Sequence, residues 1–200
     1  MTDRLVSPST GKTLIPLAKR TTTPTPADAP KPVHVAREFI EVVVFDGRLA
    51  SRGSQFGHAA VEIDGTVYSR APSTYFKGSY TKYLRSNTAL VVEGAEGSRP
   101  GMFRDAVGLK MWVSPREKKL IRDELERRVA ADSKYSLFGN SCSSNVADVL
   151  ELAGIMAHDP RGFQAPVTPA ELLAVLEKSN RLVQRRFYGK GYEGGASGNW

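Results

Sequence analysis

A single cysteine, Cys142, occurs in 200 residues, so no intrachain disulfide can form and the fold must rest on packing. Long apolar runs are missing as well. Nothing approaches the ~20 consecutive apolar residues of a membrane-spanning helix, and the opening stretch, MTDRLVSPSTGKTLIPLAKR, lacks the ~7–15-residue apolar core of a secretory signal. The expectation is a chain made in the cytoplasm that needs a signal-independent system if it is exported. No internal repeat, no GxGxxG or Walker-type loop and no paired metal-ligand spacing is found. The three histidines, His34, His58 and His158, are too scattered to make a zinc site, and the sequence points to no metal and no cofactor.

Acidic residues are outnumbered by basic ones, giving a net charge of +7 and a pI near 9.6. That balance favours anionic surroundings such as nucleic acid, anionic lipid or an acidic cell-wall polymer, and is equally compatible with a basic surface that has no particular partner. The length suits one domain able to bury its own core.

The composition shifts along the chain. Residues 21–33, TTTPTPADAPKPV, hold Pro24, Pro26, Pro30 and Pro32 among polar and small residues, which cannot bury enough apolar surface to order themselves. Residues 1–36 therefore read as an arm and linker, with KTLIPL as its one apolar cluster. From residue 37 the pattern turns to β-branched and aromatic residues, REFIEVVVFDG, a strand signature. GHAAVEIDGTVYSRAP reads as a hairpin closed by Asp64-Gly65, a pair suited to a two-residue type I′ turn. Residues 72–87 lack clear periodicity and read as a surface loop or short helix, followed by strands at TALVVEG and VGLKMWV.

Three helices follow. Ser114, Pro115 and Glu117 form a capping box before a stripe of Leu120, Ile121, Leu125 and Val129. The second helix starts at Cys142, carries Val146, Val149, Leu150 and Ala153 at helical spacing, and ends at Gly154. Thr168, Pro169 and Glu171 open the third. Residues 181–200 are basic, then glycine-rich, and read as a fraying tail behind a domain spanning 37–180. Strands first and helices after, with hairpin connections, predict an α+β fold: an antiparallel sheet packed against the Cys142 helix and its neighbours.

A lone cysteine before a helix is most often a small buried hydrophobe. Around Cys142, however, Asn140, Ser141, Ser143, Ser144 and Asn145 form a polar collar, and a helix N-terminus stabilises a thiolate. His58 opens the strand HAAVEI directly after Gly57. Counting back from the Asp64-Gly65 turn places Ile63 opposite Thr66 and puts His58 and Ser69 on one face, as diagonal neighbours. Cys142 as nucleophile, His58 as base and Ser69 as the group orienting the imidazole form the candidate catalytic set. Asn140 and Ser141 beside the thiol, and Tyr75 and Tyr80 from an aromatic stretch that includes Phe76 and Tyr83, are the candidate substrate-binding residues.

The order of these segments, GHAAVEIDGTVYSRAP first and YSLFGNSCSSNVADVLELAG later, resembles the circularly permuted papain-like hydrolases related to the NlpC/P60 superfamily. Tyr135, Leu137, Asn140 and Cys142 match the Y-x-L-x-x-N-x-C lead-in to that family's catalytic helix, and the resemblance covers about residues 38–178. It implies a permuted papain-like (NlpC/P60-like) fold and an acyl-enzyme mechanism run by a cysteine and a histidine. Ser69 falls where the family usually places His, Asn, Gln or Glu. The permuted group includes cell-wall amidases and endopeptidases, lipid acyltransferase-like enzymes and isopeptidases, and it is similar to small, basic, signal-less toxins delivered by type VI secretion. By that resemblance the chain is expected to be a cysteine peptidase or amidase acting on peptidoglycan or a peptide as a secreted effector, with an immunity or inhibitor protein as partner. A lipid acyl hydrolase or acyltransferase on the same fold is the alternative in chemistry. A non-catalytic basic module using RLVQRRFYGK to hold an acidic partner is the alternative in class, with nucleic acid the less favoured occupant.

Overall fold

The computed structural model describes residues 36–47, 56–94, 97–137, 139–160 and 166–192. The expected arm and linker, apart from Ala36, and the glycine-rich end from residue 193 lie outside the described residues.

The predicted strand at REFIEVVVFDG is β1 (Glu38–Phe45), and the predicted hairpin is β2 (His58–Ile63) with β3 (Thr66–Arg70). Its register is the one the turn dictates, Ile63 opposite Thr66. Asp64 (φ 51°) and Gly65 (φ 81°) both take the left-handed conformation that a type I′ turn demands of its two central residues. Next come β4 (Tyr75–Ser79), α1 (Tyr80–Thr88), the short pair β5 (Val91–Val92) and β6 (Arg99–Pro100), and β7 (Ala106–Val113). The helical part is α2 (Pro115–Ala131), α3 (Cys142–Leu152) and α4 (Pro169–Leu176), and β8 (Leu182–Tyr188) closes the order. The result is an α+β fold with an antiparallel six-stranded sheet, order β4-β3-β2-β1-β7-β8, and four helices among the described residues.

Alternation along the strands gives the sheet two unlike faces. Ile40, Val42, Ala59, Val61, Leu109 and Met111 point to one face and form the main core with Ile121 and Leu125 of α2, Val146, Val149 and Leu150 of α3, and Leu172 and Leu176 of α4. On the opposite face Val43, Phe45, Ala106 and Tyr188 pack with Leu84 of α1 and with Tyr80, Tyr83 and Tyr192. The caps behave as read. Ser114 and Glu117 exchange both bonds of a capping box, and Thr168 accepts from the Glu171 N–H. Glu171 does not return the second bond. Its carboxylate accepts instead from the Asp159 N–H at 3.2 Å, tying the α3–α4 connection to α4.

Three readings need correction. Residues 72–87, read as a surface loop or short helix, do hold most of the short helix α1 but also supply β4, which was not expected. The helical stripe there was obscured because its inward side mixes Leu84 with Asn87 and Thr88, whose polar atoms bond to the carbonyls of Tyr83 and Leu84. TALVVEG is strand only at Val91–Val92, since Thr88 belongs to α1. Residues 182–188 do not fray; they form the edge strand β8 paired with β7. The basic run is tolerated there because Arg185 bonds Glu177 at 2.7 Å and Arg186 bonds Glu41 at 3.3 Å, while Tyr188 is buried at 2 % exposure.

Candidate functional site

β2 pairs with β1 from Glu41↔Glu62 to Phe45↔His58, and β3 pairs with β4 out to Arg70↔Tyr75, but β2 and β3 pair with each other only as far as Val61↔Tyr68. Beyond that point the hairpin is open. His58, Ala59 and Ala60 on one side and Ser69 and Arg70 on the other stand at this open end. The N-terminus of α3 meets it from the helical layer. The Ala59 N–H faces the Cys142 sulfur, as do the N–H groups of Ser143 and Cys142 at the helix start. The thiol and the backbone next to His58 are therefore together.

Cys142 is only 6 % exposed, and burial pushes its thiol up from the ordinary range despite those N–H groups, which pull it down. The polar collar is buried with it: Ser141, Ser143, Ser144 and Asn145 are all inaccessible. The side chains settle this by satisfying one another. Ser143 donates to the Val167 carbonyl at 2.5 Å, and Ser141, as N-cap, accepts from the Ser144 N–H at 3.2 Å.

His58 points to the opposite face from Ala59, towards Phe45, whose ring centroid is 6.3 Å away. Its Nε2 is 2.6 Å from Ser69 Oγ, and Tyr83 donates its hydroxyl to the same oxygen at 2.8 Å. Tyr83 in turn stacks on Phe76 and meets Phe45 edge-on. Burial, with the nearby Arg104 guanidinium, holds the imidazole down at about 3, so it is neutral at physiological pH. Among the described residues no hydrogen bond joins His58 to Cys142. At rest the thiol and the imidazole are both neutral.

The four candidate substrate-binding residues have other work. Asn140 donates to the carbonyls of Lys134 at 2.6 Å and Ser133 at 3.2 Å, and its own oxygen accepts from Asn145 at 2.5 Å. It braces the loop before Cys142. Ser141 is committed to the α3 cap. Tyr75 is a core residue, its phenol pushed up to about 12 by burial. Tyr80 lies under α1 on the other face and donates to the Tyr188 hydroxyl at 3.3 Å. The aromatic stretch is packing between strand and helix, because burying tyrosine on an α1–sheet contact needs only a partner for each hydroxyl.

What holds the loop is a clamp that sequence reading did not find. Arg70, 3 % exposed, donates to the carbonyls of Ala71 and Ser133 and to Asp132, whose carboxylate also accepts from the Tyr75 N–H at 2.8 Å. Asp132 sits in a left-handed conformation, φ 34°, as the cap of α2. Arg128 adds a bond to Asn145 at 2.9 Å. A buried arginine at the end of an apolar strand was the available signal. Of the other histidines, His158 is exposed beside Glu151, which raises its pKa, and His34 lies outside the described residues. Among the described residues no three His, Cys, Asp or Glu side chains gather as a metal cage, and no helix is long and apolar enough to cross a membrane.

Comparison with known protein families, with curated proteins and with solved structures finds no match to this chain.

Proposed function

We propose that this chain is a cysteine hydrolase on a permuted papain-like, NlpC/P60-like fold, cleaving an amide through an acyl-enzyme. The observation that carries the reading is the meeting of the Cys142 sulfur with the backbone of His58–Ala59 at the open end of β2 and β3, with Ser69 on the imidazole. Ser69 engages Nε2, so Nδ1 is the nitrogen left to take the thiol proton. As that proton leaves, the sulfur attacks the carbonyl carbon, and the N–H groups at the α3 terminus and at Ala59, which face the sulfur, stabilise the oxyanion. Collapse of the adduct expels the amine, which takes the proton from His58. Water then adds to the thioester and frees the acid. Because both groups rest neutral, proton transfer and attack are coupled rather than preceded by a stored ion pair.

The substrate we favour is a peptidoglycan peptide amide, which the net charge of +7 suits through attraction to an acidic wall polymer, with the chain acting as a secreted effector. Incubation with purified peptidoglycan and mass analysis of released fragments tests this. Wild-type protein should release muropeptides and Cys142→Ala should not. Intact sacculi after wild-type treatment would remove the substrate assignment, and full activity in Cys142→Ala would remove the mechanism.

A further inference from the structure

The sheet face that carries Val43 and Phe45 is covered at one end. Leu84 of α1 packs there with Tyr80, Tyr83, Tyr188 and Tyr192, and this cover ends at Glu41, which is 3 % exposed and accepts from the Tyr188 hydroxyl at 2.9 Å. Two residues back along β1, on the same face, Phe39 stands directly opposite Trp112 of β7. Phe39 is 37 % exposed and Trp112 is half-buried. Cations gather on this aromatic pair. Arg181 lies 3.9 Å and Arg37 5.4 Å from the Trp112 ring centroid, and Lys110 lies 4.4 Å from that of Phe39.

The carboxylates nearby are already engaged. Glu41 accepts from Tyr188 and Arg186, Glu62 from the Gly65 N–H at 2.6 Å, and Glu117 at the start of α2 from Arg181 at 2.9 Å. Among the described residues Arg37 and Lys110 have no carboxylate partner. A ring beneath a cationic head holds its stem in place, so an incoming anion finds the charge already positioned.

The geometry points to a docking surface at this open end of the face, with Arg37 and Lys110 holding an acidic wall polymer by its carboxylates. Phe39 is six residues from Phe45, the strand partner of His58, so the surface stands about 20 Å along β1 from the candidate site. The choice of occupant rests on the hydrolase reading and on the net charge of +7, whereas a surface that holds anions does not depend on that reading. Single-stranded nucleic acid fits less well, because its bases need open ring faces to stack on and cations already lie over both rings. A polymer held here stays bound while the Cys142 site releases one stem peptide and takes the next, which raises the effective concentration of substrate.

The test is co-sedimentation of full-length Cys142→Ala protein with purified peptidoglycan sacculi stripped of teichoic polymers, at low and at physiological salt. The protein should sediment with the sacculi, less so as salt rises, and adding Arg37→Gln and Lys110→Gln should weaken retention about five-fold, the loss expected for two exposed ion contacts. Glutamine keeps most of each stem and puts no new carboxylate beside Glu41, and unfolding midpoints check that the fold is kept. Arg116→Gln with Lys119→Gln removes the same charge from the exposed side of α2, in the helical layer, and should leave retention at the parent level. No retention, or equal retention in the parent and both double variants, or equal losses in the two double variants, overturns the inference. So does binding of a labelled oligothymidylate that needs Arg37 and Lys110 in a protein that ignores sacculi. Retention that needs these two residues, with no fragments released by wild type, would sink the hydrolase reading and leave the surface standing; digestion by wild type without such retention would do the reverse.

Discussion

Lowering the pH from 7 to 5 perturbs one buried group above all. His58 is held at about 3 in the folded chain, against about 6.5 for an unrestrained imidazole. The unfolded chain therefore binds a proton between those values that the folded chain refuses. Stability contributed by the neutral ring is intact above the unfolded value and is lost as pH falls below it, until the folded value is reached. At pH 5 the gap of about 1.5 units below the unfolded value corresponds to about 2 kcal/mol. The assay is urea denaturation of wild type and His58→Gln at both pH values. Glutamine does not titrate and can still reach Ser69, so its profile reports every other acid-sensitive group. Wild type should lose about 2 kcal/mol more than the variant between pH 7 and 5. Parallel losses in the two proteins would show that the ring is charged, or freely hydrated, in the folded state.

Asp132→Ala should cost about 2–3 kcal/mol in the same denaturation assay, because it leaves the buried Arg70 and the Tyr75 N–H short of an acceptor. Asp132→Asn, which keeps an acceptor and tolerates the left-handed backbone, should cost less than half as much; equal losses would mean that the clamp is not what the aspartate provides. Gly57→Ala should be destabilising by more than about 1 kcal/mol, since a Cβ at this positive φ would stand 2.6 Å from the Phe45 carbonyl. That change sits beside His58, so it should also displace the ring's NMR signals, and an unshifted His58 would separate the glycine from the site.

The turn end of the hairpin was legible because its turn chemistry leaves one register: Asp64 and Gly65 are the pair that accepts two positive φ angles, and the pairing from Ile63↔Thr66 to Val61↔Tyr68 follows by counting, whereas the opening of the strands beyond it does not. The α2, α3 and α4 starts were legible for a similar reason, each being written as a local cap before an apolar stripe. Where tertiary pairing decides, reading failed. Arg185 and Arg186 look like a solvated tail until Glu177 and Glu41 are brought beside them. Tyr75 and Tyr80 look like a binding surface because tyrosine is at home in both settings, and only the packing of α1 on the sheet separates them. Of the candidate set, the closeness of Ser69 to the His58 ring and the place of Cys142 at the start of α3 were visible through position. The burial of the collar was not, since Asn140, Ser141, Ser143 and Asn145 satisfy one another in ways that no periodicity records.

β1 is the first strand of the described chain and lies at the middle of the sheet, with β2 on one side and β7 on the other. The histidine thus arrives with the early hairpin, whereas the cysteine arrives on a helix from the second half. A growing chain can pair β1, β2, β3 and β4 by local closures, but Cys142 reaches Ala59 only after α2 and the loop behind it have been laid down. On the hydrolase proposal, the strand that carries His58 and the thiol of Cys142 therefore come together only when α3 docks, a late folding event rather than a property of either half.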